Sequence, residues 1–156
     1  MEFEAIVLPH LDAAYTLARY LTRNDADAQD VVQDASLRAL KYFAGFRGTT
    51  PADGRAWFLA IVRNTAHTWR ERERGGAPVA EFDEEMHSDG VDHDPVATVD
   101  LQTALARLPL EFREVLVLRE VQGLSYQEIS DVTGVPVGTV MSRLSRARKR
   151  LQKALA

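Results

Sequence analysis

The residues with the most recognisable chemistry lie near the end of the chain: Thr139, Ser142, Arg143, Arg146 and Arg150. They recur at three- and four-residue intervals and so share one side of a helix. A guanidinium can make paired hydrogen bonds to guanine O6 and N7, and a hydroxyl can reach a base or a phosphate. Val140, Leu144, Ala147 and Leu151 fall on the other side and are expected to pack into a domain. An Arg-rich helix alone is as readily a solvated surface helix. What precedes this one favours DNA. Ser125 to Thr133 reads as a short amphipathic helix, with Ser125 and Glu128 spaced as a capping box. Gly134-Val135-Pro136 then supplies a turn. A short helix, a turn and a helix with a basic outer face form a helix-turn-helix suited to the major groove.

These elements need a domain to hold them. The chain has 156 residues, room for one ordinary domain or two small ones. Its net charge of −4 argues against a DNA binder until it is divided. Residues 1–80 hold ten Lys/Arg and ten Asp/Glu, net zero; residues 81–100 hold eight acids and no Lys/Arg, net −8; residues 101–156 hold nine Lys/Arg and five acids, net +4. Local charge sets the field a nucleic acid meets. There is no cysteine, which excludes disulfides and thiolate metal sites. No window approaches the apolar length of a membrane span, and Met1-Glu2-Phe3-Glu4-Ala5 lacks a basic secretory n-region. A cytoplasmic protein without membrane insertion is expected.

Between Gly75 and Pro95 lie Gly75-Gly76, Pro78, Gly90 and the run Glu81-Phe82-Asp83-Glu84-Glu85. Such a composition cannot build a core, and residues 75–96 read as a flexible acidic linker. It separates a unit at 1–74 from one at 97–156.

The first unit is helical by period. Phe3 to Leu8, then Leu11, Tyr15, Ala18 and Leu21 mark two segments. Asp25 is the expected N-cap of a third, whose apolar stripe is Ala28, Val32, Ala35, Ala39 and Phe43. A loop from Phe46 to Gly54 leads to a long helix near Arg55 to Arg72, with Trp57, Phe58, Ile61, Thr65 and Trp69 expected in the core. The second unit reads as helices over Val96–Arg107, Glu111–Val121, Ser125–Thr133 and Pro136–Lys153. There is no strand pattern. The expected fold is all-α: two small helical domains on a linker, the second a helix-turn-helix.

Three stretches together resemble the sigma-70 family of bacterial transcription initiation factors, in its small extracytoplasmic-function group. Asp27-Ala28-Gln29-Asp30-Val31-Val32-Gln33-Asp34-Ala35-Ser36-Leu37-Arg38-Ala39 looks like the conserved region that grips core RNA polymerase. Phe46-Arg47-Gly48, followed by Ala56-Trp57-Phe58-Leu59-Ala60-Ile61-Val62-Arg63-Asn64-Thr65, is similar to the part that opens and reads the −10 element. Leu105 to Val115 and the helix-turn-helix resemble the region that reads the −35 element. Met141 departs from the pattern, at a position where many members carry Lys or Arg.

The resemblance implies a dissociable sigma subunit that binds core RNA polymerase and promoter DNA, is monomeric when free, and is held by an anti-sigma factor. It assigns −35 contacts to Thr139, Ser142, Arg143, Arg146 and Arg150. It assigns −10 contacts to Phe46, Arg47, Arg55, Arg63 and Asn64, where aromatic faces and guanidiniums can hold an unstacked base and its phosphates. The helix face of Asp30, Gln33, Asp34, Leu37 and Lys41 would dock on polymerase. It implies no cofactor, no metal and no catalytic residue in this chain.

Two other readings stay open on sequence. One is a helix-turn-helix transcriptional regulator that acts without being a polymerase subunit, usually as a dimer on a paired site. The other is a helical metalloenzyme built on Glu84-Glu85-Met86-His87, a Glu-x-x-His spacing, with His93 nearby. That spacing needs a second copy and two further Glu to form a di-iron site, and none is found. Nor does a Gly-x-Ser-x-Gly elbow appear for a hydrolase.

Overall fold

The computed structural model describes residues 2–73 and 100–155, and every regular element among them is helical. The residues assigned to the linker, with the Glu84 to His87 spacing and His93, lie outside the described residues. In the first unit α1 spans Phe3–Val7, α2 Leu11–Thr22, α3 Asp25–Tyr42 and α4 Pro51–Glu73. In the second, α5 spans Leu101–Arg107, α6 Leu110–Leu116, α7 Tyr126–Thr133 and α8 Val137–Leu155; α6 continues through a π turn at Val117–Val121.

Helices α2, α3 and α4 pack pairwise around one core. α2 contributes Ala14, Leu17, Ala18 and Leu21, and α3 contributes Ala28, Val31, Ala35 and Ala39. The α3 stripe is therefore centred on Val31. Val32 and Phe43, expected inside, are half-buried at its margin. Asn24, not Asp25, caps α3: its Oδ1 accepts from the Asp27 backbone N–H at 2.9 Å. Asp25 is the first helical residue, and its carboxylate instead pairs with Arg19 and accepts from the Tyr15 hydroxyl.

Helix α4 starts at Pro51, four residues before the expected Arg55. Thr50 Oγ1 accepts from Asp53 N–H at 3.1 Å, while Asp53 Oδ2 accepts from the N–H groups of Thr49 and Thr50. Pro51 fits the first position because its missing donor is not needed there. Of the expected core face, Phe58 and Thr65 are buried, but Trp57, Ile61 and Trp69 are only half-buried. Leu59, Val62 and Ala66 are buried as well. The difference arises because α4 is covered on two sides, by α2 and α3 and again by α7. Its buried sector is wider than a single amphipathic stripe, and the large rings sit at the edge.

In the second unit Ser125 and Glu128 form the expected reciprocal cap of α7. Gly134, at φ +76°, ends α7 in a left-handed conformation that a side chain would resist, and the chain turns into α8. Phe112, Val115, Ile129, Val132, Val140 and Leu144 fill the interior.

The two units pack on one another, α7 along α4 and α6 against α2, and they share a continuous apolar core. At their junction Glu114 of α6 is 1 % exposed. Arg63 grips it with both arms, Nε to Oε1 at 2.7 Å and Nη2 to Oε2 at 3.1 Å, and His67 Nε2 lies 3.2 Å from Oε1. Arg55 donates to Glu128 Oε2 at 2.8 Å. Arg23 and Gln122 add bonds to the carbonyls of Ala106 and Ala13. Burial pushes the Glu114 carboxyl up, but hydrogen bonds and charge from His67 and Arg63 outweigh it and hold its pKa below the ordinary glutamate value.

A depressed folded-state pKa means that Glu114 stabilises this packing fully above the ordinary glutamate range. That contribution is lost as pH falls through the lowered value. Thermal unfolding of wild type and Glu114→Gln should differ most near neutral pH and converge in acid. A gap that persists undiminished below the carboxylate range would place the stabilisation elsewhere.

Candidate nucleic-acid interface

Helix α8 presents its faces much as its sequence requires. Val140, Leu144 and Ala147 are buried, and Leu151 is half-buried at the edge. Ser142 and Arg146 are exposed; Thr139, Arg143 and Arg150 are half-buried. Arg143 Nη2 lies 3.8 Å from the Glu111 carboxylate, and the Arg150 guanidinium sits 5.3 Å from the centre of the Phe112 ring. Both lean onto α6, so they are held in place rather than free in solvent. Arg146 and Arg150 join Lys149, Phe112 and Glu111 around an open cleft of about 410 Å³. Lys149 was not among the residues expected from sequence, although its spacing of three from Arg146 could have marked it. Met141 is 52 % exposed in the first half of the helix, beside Ser142. The outer face is thus neutral at its N-terminal end and basic further on.

The N-terminal candidates fall into two groups. Phe46 is half-buried in an aromatic cluster, its ring centre 6.4 Å from Phe43 and 5.1 Å from Trp57. Phe3 meets Phe43 edge-on. Arg47 is exposed and donates to the Ala44 carbonyl at 2.8 Å. Phe46, Arg47, Trp57 and Ala60 line a cleft of about 440 Å³ whose far wall includes Asp131 of α7. A flat, half-exposed aromatic ring beside a guanidinium is a platform for an unstacked base.

The second group, Arg55, Arg63 and Asn64, lies along α4. Asn64 is exposed and accepts from Arg63 Nη1 at 3.2 Å. Arg55 and Arg63 are not free, since both are engaged by Glu128 and Glu114 of the other unit. His67, one turn beyond Arg63, completes that group and was missed on sequence. A single His in a helix carries no local signal.

On α3, Asp30, Gln33, Leu37 and Lys41 are exposed. Asp34 is only half-buried; it pairs with Arg38 at 3.4 Å and accepts from Trp69 Nε1 at 3.4 Å, so it braces α3 against α4. Leu37 is 63 % exposed, Leu40 58 % and Tyr42 56 %. Leu40, one turn on from Leu37, widens the apolar patch beyond the expected residues. Leu40 follows Leu37 by three and lies off the Ala35–Ala39 stripe, a spacing that could have revealed it.

Among the described residues no group of His, Cys, Asp or Glu is arranged to hold a metal ion. None of the described helices is long and apolar enough to cross a membrane.

Comparison with known proteins accounts for this arrangement. Residues 6–75 match the family model for sigma-70 region 2, and residues 98–151 that for sigma-70 region 4. The ECF RNA polymerase sigma factor SigE of Mycolicibacterium smegmatis is 34 % identical over 99 % of this chain, which spans 62 % of that protein's length. The RNA polymerase sigma-H factor of Pseudomonas aeruginosa is 33 % identical, with 98 % of this chain and 86 % of the relative covered. The ECF RNA polymerase sigma-E factor of Haemophilus influenzae is 31 % identical, with 89 % and 79 % covered. Among solved structures, the sigma factor RpoE of Bartonella quintana in complex with the anti-sigma factor NepR superposes with a TM-score of 0.71 at 31 % identity, covering 96 % of this chain and 93 % of that one. CnrH, in complex with the cytosolic domain of CnrY, gives 0.69 at 27 % identity, covering 98 % and 86 %. The chain therefore belongs to the sigma-70 family of RNA polymerase sigma factors, in its extracytoplasmic-function group.

Proposed function

We propose that this chain is a dissociable sigma subunit that binds core RNA polymerase and directs promoter recognition and transcription initiation. The observation that carries the reading is the order of two matched regions, region 2 then region 4, with the second ending in a helix-turn-helix whose outer face bears Ser142, Arg146 and Lys149. Sigma factors are non-catalytic initiation factors. Bond making belongs to polymerase, and this chain supplies recognition. It works in the cytoplasm, where polymerase is.

The roles divide by unit. The first, about residues 1–74, docks on polymerase through α3 and captures melted −10 DNA through Phe46, Arg47, Arg55, Arg63 and Asn64. The second, about residues 97–156, reads −35 as duplex through Thr139, Ser142, Arg143, Arg146 and Arg150. Two of the similar structures are complexes with a protein partner, one of them named as an anti-sigma factor. An anti-sigma factor is accordingly a partner of this chain too. Run-off transcription with core polymerase, with and without the protein, on its own upstream region tests the reading. A regulator that acts without being a polymerase subunit would bind its duplex site unaided.

At the −35 element, replacing Arg143 and Arg146 together with Ala should cut promoter use. A lost bidentate base contact corresponds to about 1–3 kcal/mol of discrimination. Arg146 should carry the larger share, because Arg143 must first leave Glu111. Normal transcription by the double variant from a −35-dependent promoter would refute the assignment.

On α3, changing Leu37 and Leu40 to Glu should abolish co-purification with core enzyme, yet leave helicity and melting temperature nearly unchanged because both side chains are exposed. Asp34 is unsuitable for this test, since it also holds Trp69. Retained binding would move the polymerase interface away from this patch.

A further inference from the structure

Two cations assigned to −10 DNA are occupied by the protein's own carboxylates. Arg63 grips Glu114 in a two-armed pair, and Arg55 bonds to Glu128. Both acids come from the −35-reading unit. A carboxylate and a phosphate offer a guanidinium the same thing: two anionic oxygens in a plane that suits its fork. His67 touches the same Glu114 oxygen as Arg63 does. Residues 55, 63 and 67 are about 12 and 6 Å apart along the axis of α4, at 1.5 Å per residue. In addition, Asp131 of α7 stands at the wall of the Phe46–Trp57 cleft.

We propose that Glu114 and Glu128 stand where promoter phosphates bind, so that the packed arrangement of the two units excludes −10 DNA, and that His67 belongs with Arg55 and Arg63 to the phosphate-binding row on α4. The inference rests on the reading of α4 as a −10 surface. Backbone phosphate and the second unit compete for one set of donors. Opening the units exposes all three donors to DNA and returns Glu114 from a 1 % exposed site to water.

Each polar pair of the latch can exchange one anionic partner for another, while the apolar core that the units share loses its cover on opening. Glu128 does two jobs with two oxygens: Oε1 accepts from Ser125 N–H at 2.9 Å to cap α7, and Oε2 holds Arg55. Opening leaves the cap intact, so the helix-turn-helix survives release in working order.

The test uses the full chain without polymerase, as wild type, Glu114→Gln, Glu128→Gln and the double variant. Gln at the third helical position still closes a capping box, so Glu128→Gln removes the charge and keeps the fold even if Glu114→Gln disturbs it. Small-angle scattering reads compactness, and fluorescence anisotropy with a labelled oligothymidylate strand reads backbone binding. The variants should be more extended than wild type and bind the strand more tightly. If the open form is about 1–10 % populated in wild type, full opening raises apparent affinity about 10–100-fold. Adding His67→Ala to the double variant should weaken binding through the loss of one donor to phosphate.

Variants that stay as compact as wild type would show that these carboxylates do not hold the units together. Variants that open without gaining affinity would show that they do not occupy the DNA site. Unchanged affinity on removing His67 would take it out of the row. Promoter-specific transcription with core enzyme is measured in parallel; its loss in wild type itself would sink the sigma-factor reading, independently of the latch.

Discussion

A buried carboxylate organises this molecule. Glu114 is almost inaccessible, and an ionised carboxylate in that position is tolerated only because Arg63 and His67 meet it from the opposite unit. Neither unit alone can bury it well, since its partners lie on α4 and its backbone on α6. The pair therefore specifies how the units meet. An apolar seam of the same area tolerates sliding, because burial has no direction; a two-armed guanidinium pair adds geometric specificity. Buried ion pairs are a weak source of net stability, as desolvation offsets much of the attraction, and removing one partner alone costs about 3–5 kcal/mol. Geometry is what this pair adds to the continuous apolar core around it.

Much of the architecture was legible in the sequence, for local reasons. Helix limits around the turn of the second unit follow from Ser125, Gly134 and Pro136, each acting on its own backbone neighbours, whereas α5, expected from Val96, begins at Leu101 behind an Asp100 cap that was not foreseen. Val140, Leu144 and Ala147 followed from period alone. The failures have one physical origin. Periodicity finds the single most apolar stripe of a helix, but α4 is covered on two sides, and on α3 the expected alanines fit a stripe that passes through either Val31 or Val32. Hence Trp57 and Trp69 were drawn too deep, Val31 and Val62 were passed over, and Asp34 seemed a free surface acid when it accepts from Trp69. The capping errors at Asn24 and Pro51 are of one or four residues, where neighbouring Asn, Asp and Thr compete to be the cap.

The candidate site divides in the same way. Residue types on α8 and the aromatic–Arg pair at Phe46–Arg47 were readable because their chemistry is carried by neighbours in sequence. Occupation of Arg55 and Arg63 was not readable, since the acids that hold them are 73 and 51 residues away. Nothing in Glu111-Phe112-Arg113-Glu114 distinguishes the buried acid from the half-exposed one. Only the tertiary meeting of α4 with α6 does so, and with it comes His67.

Charge distribution then takes on a different meaning. The second unit is net basic, yet its acids are not scattered. Glu114, Glu128 and Asp131 gather on the side that meets α4 and the Phe46 cleft, while Arg146 and Lys149 remain on the outer face of α8. One small domain thus carries two electrostatic faces, basic for duplex DNA and acidic toward its own partner unit. Glu111 and Glu120 further steady Arg143 and Arg148, so even the basic face is partly neutralised at rest. Fields of this kind act over about a Debye length, roughly 8 Å at physiological salt. The faces are therefore read locally by whatever approaches each one, and a chain of net charge −4 can present a strongly cationic helix to DNA.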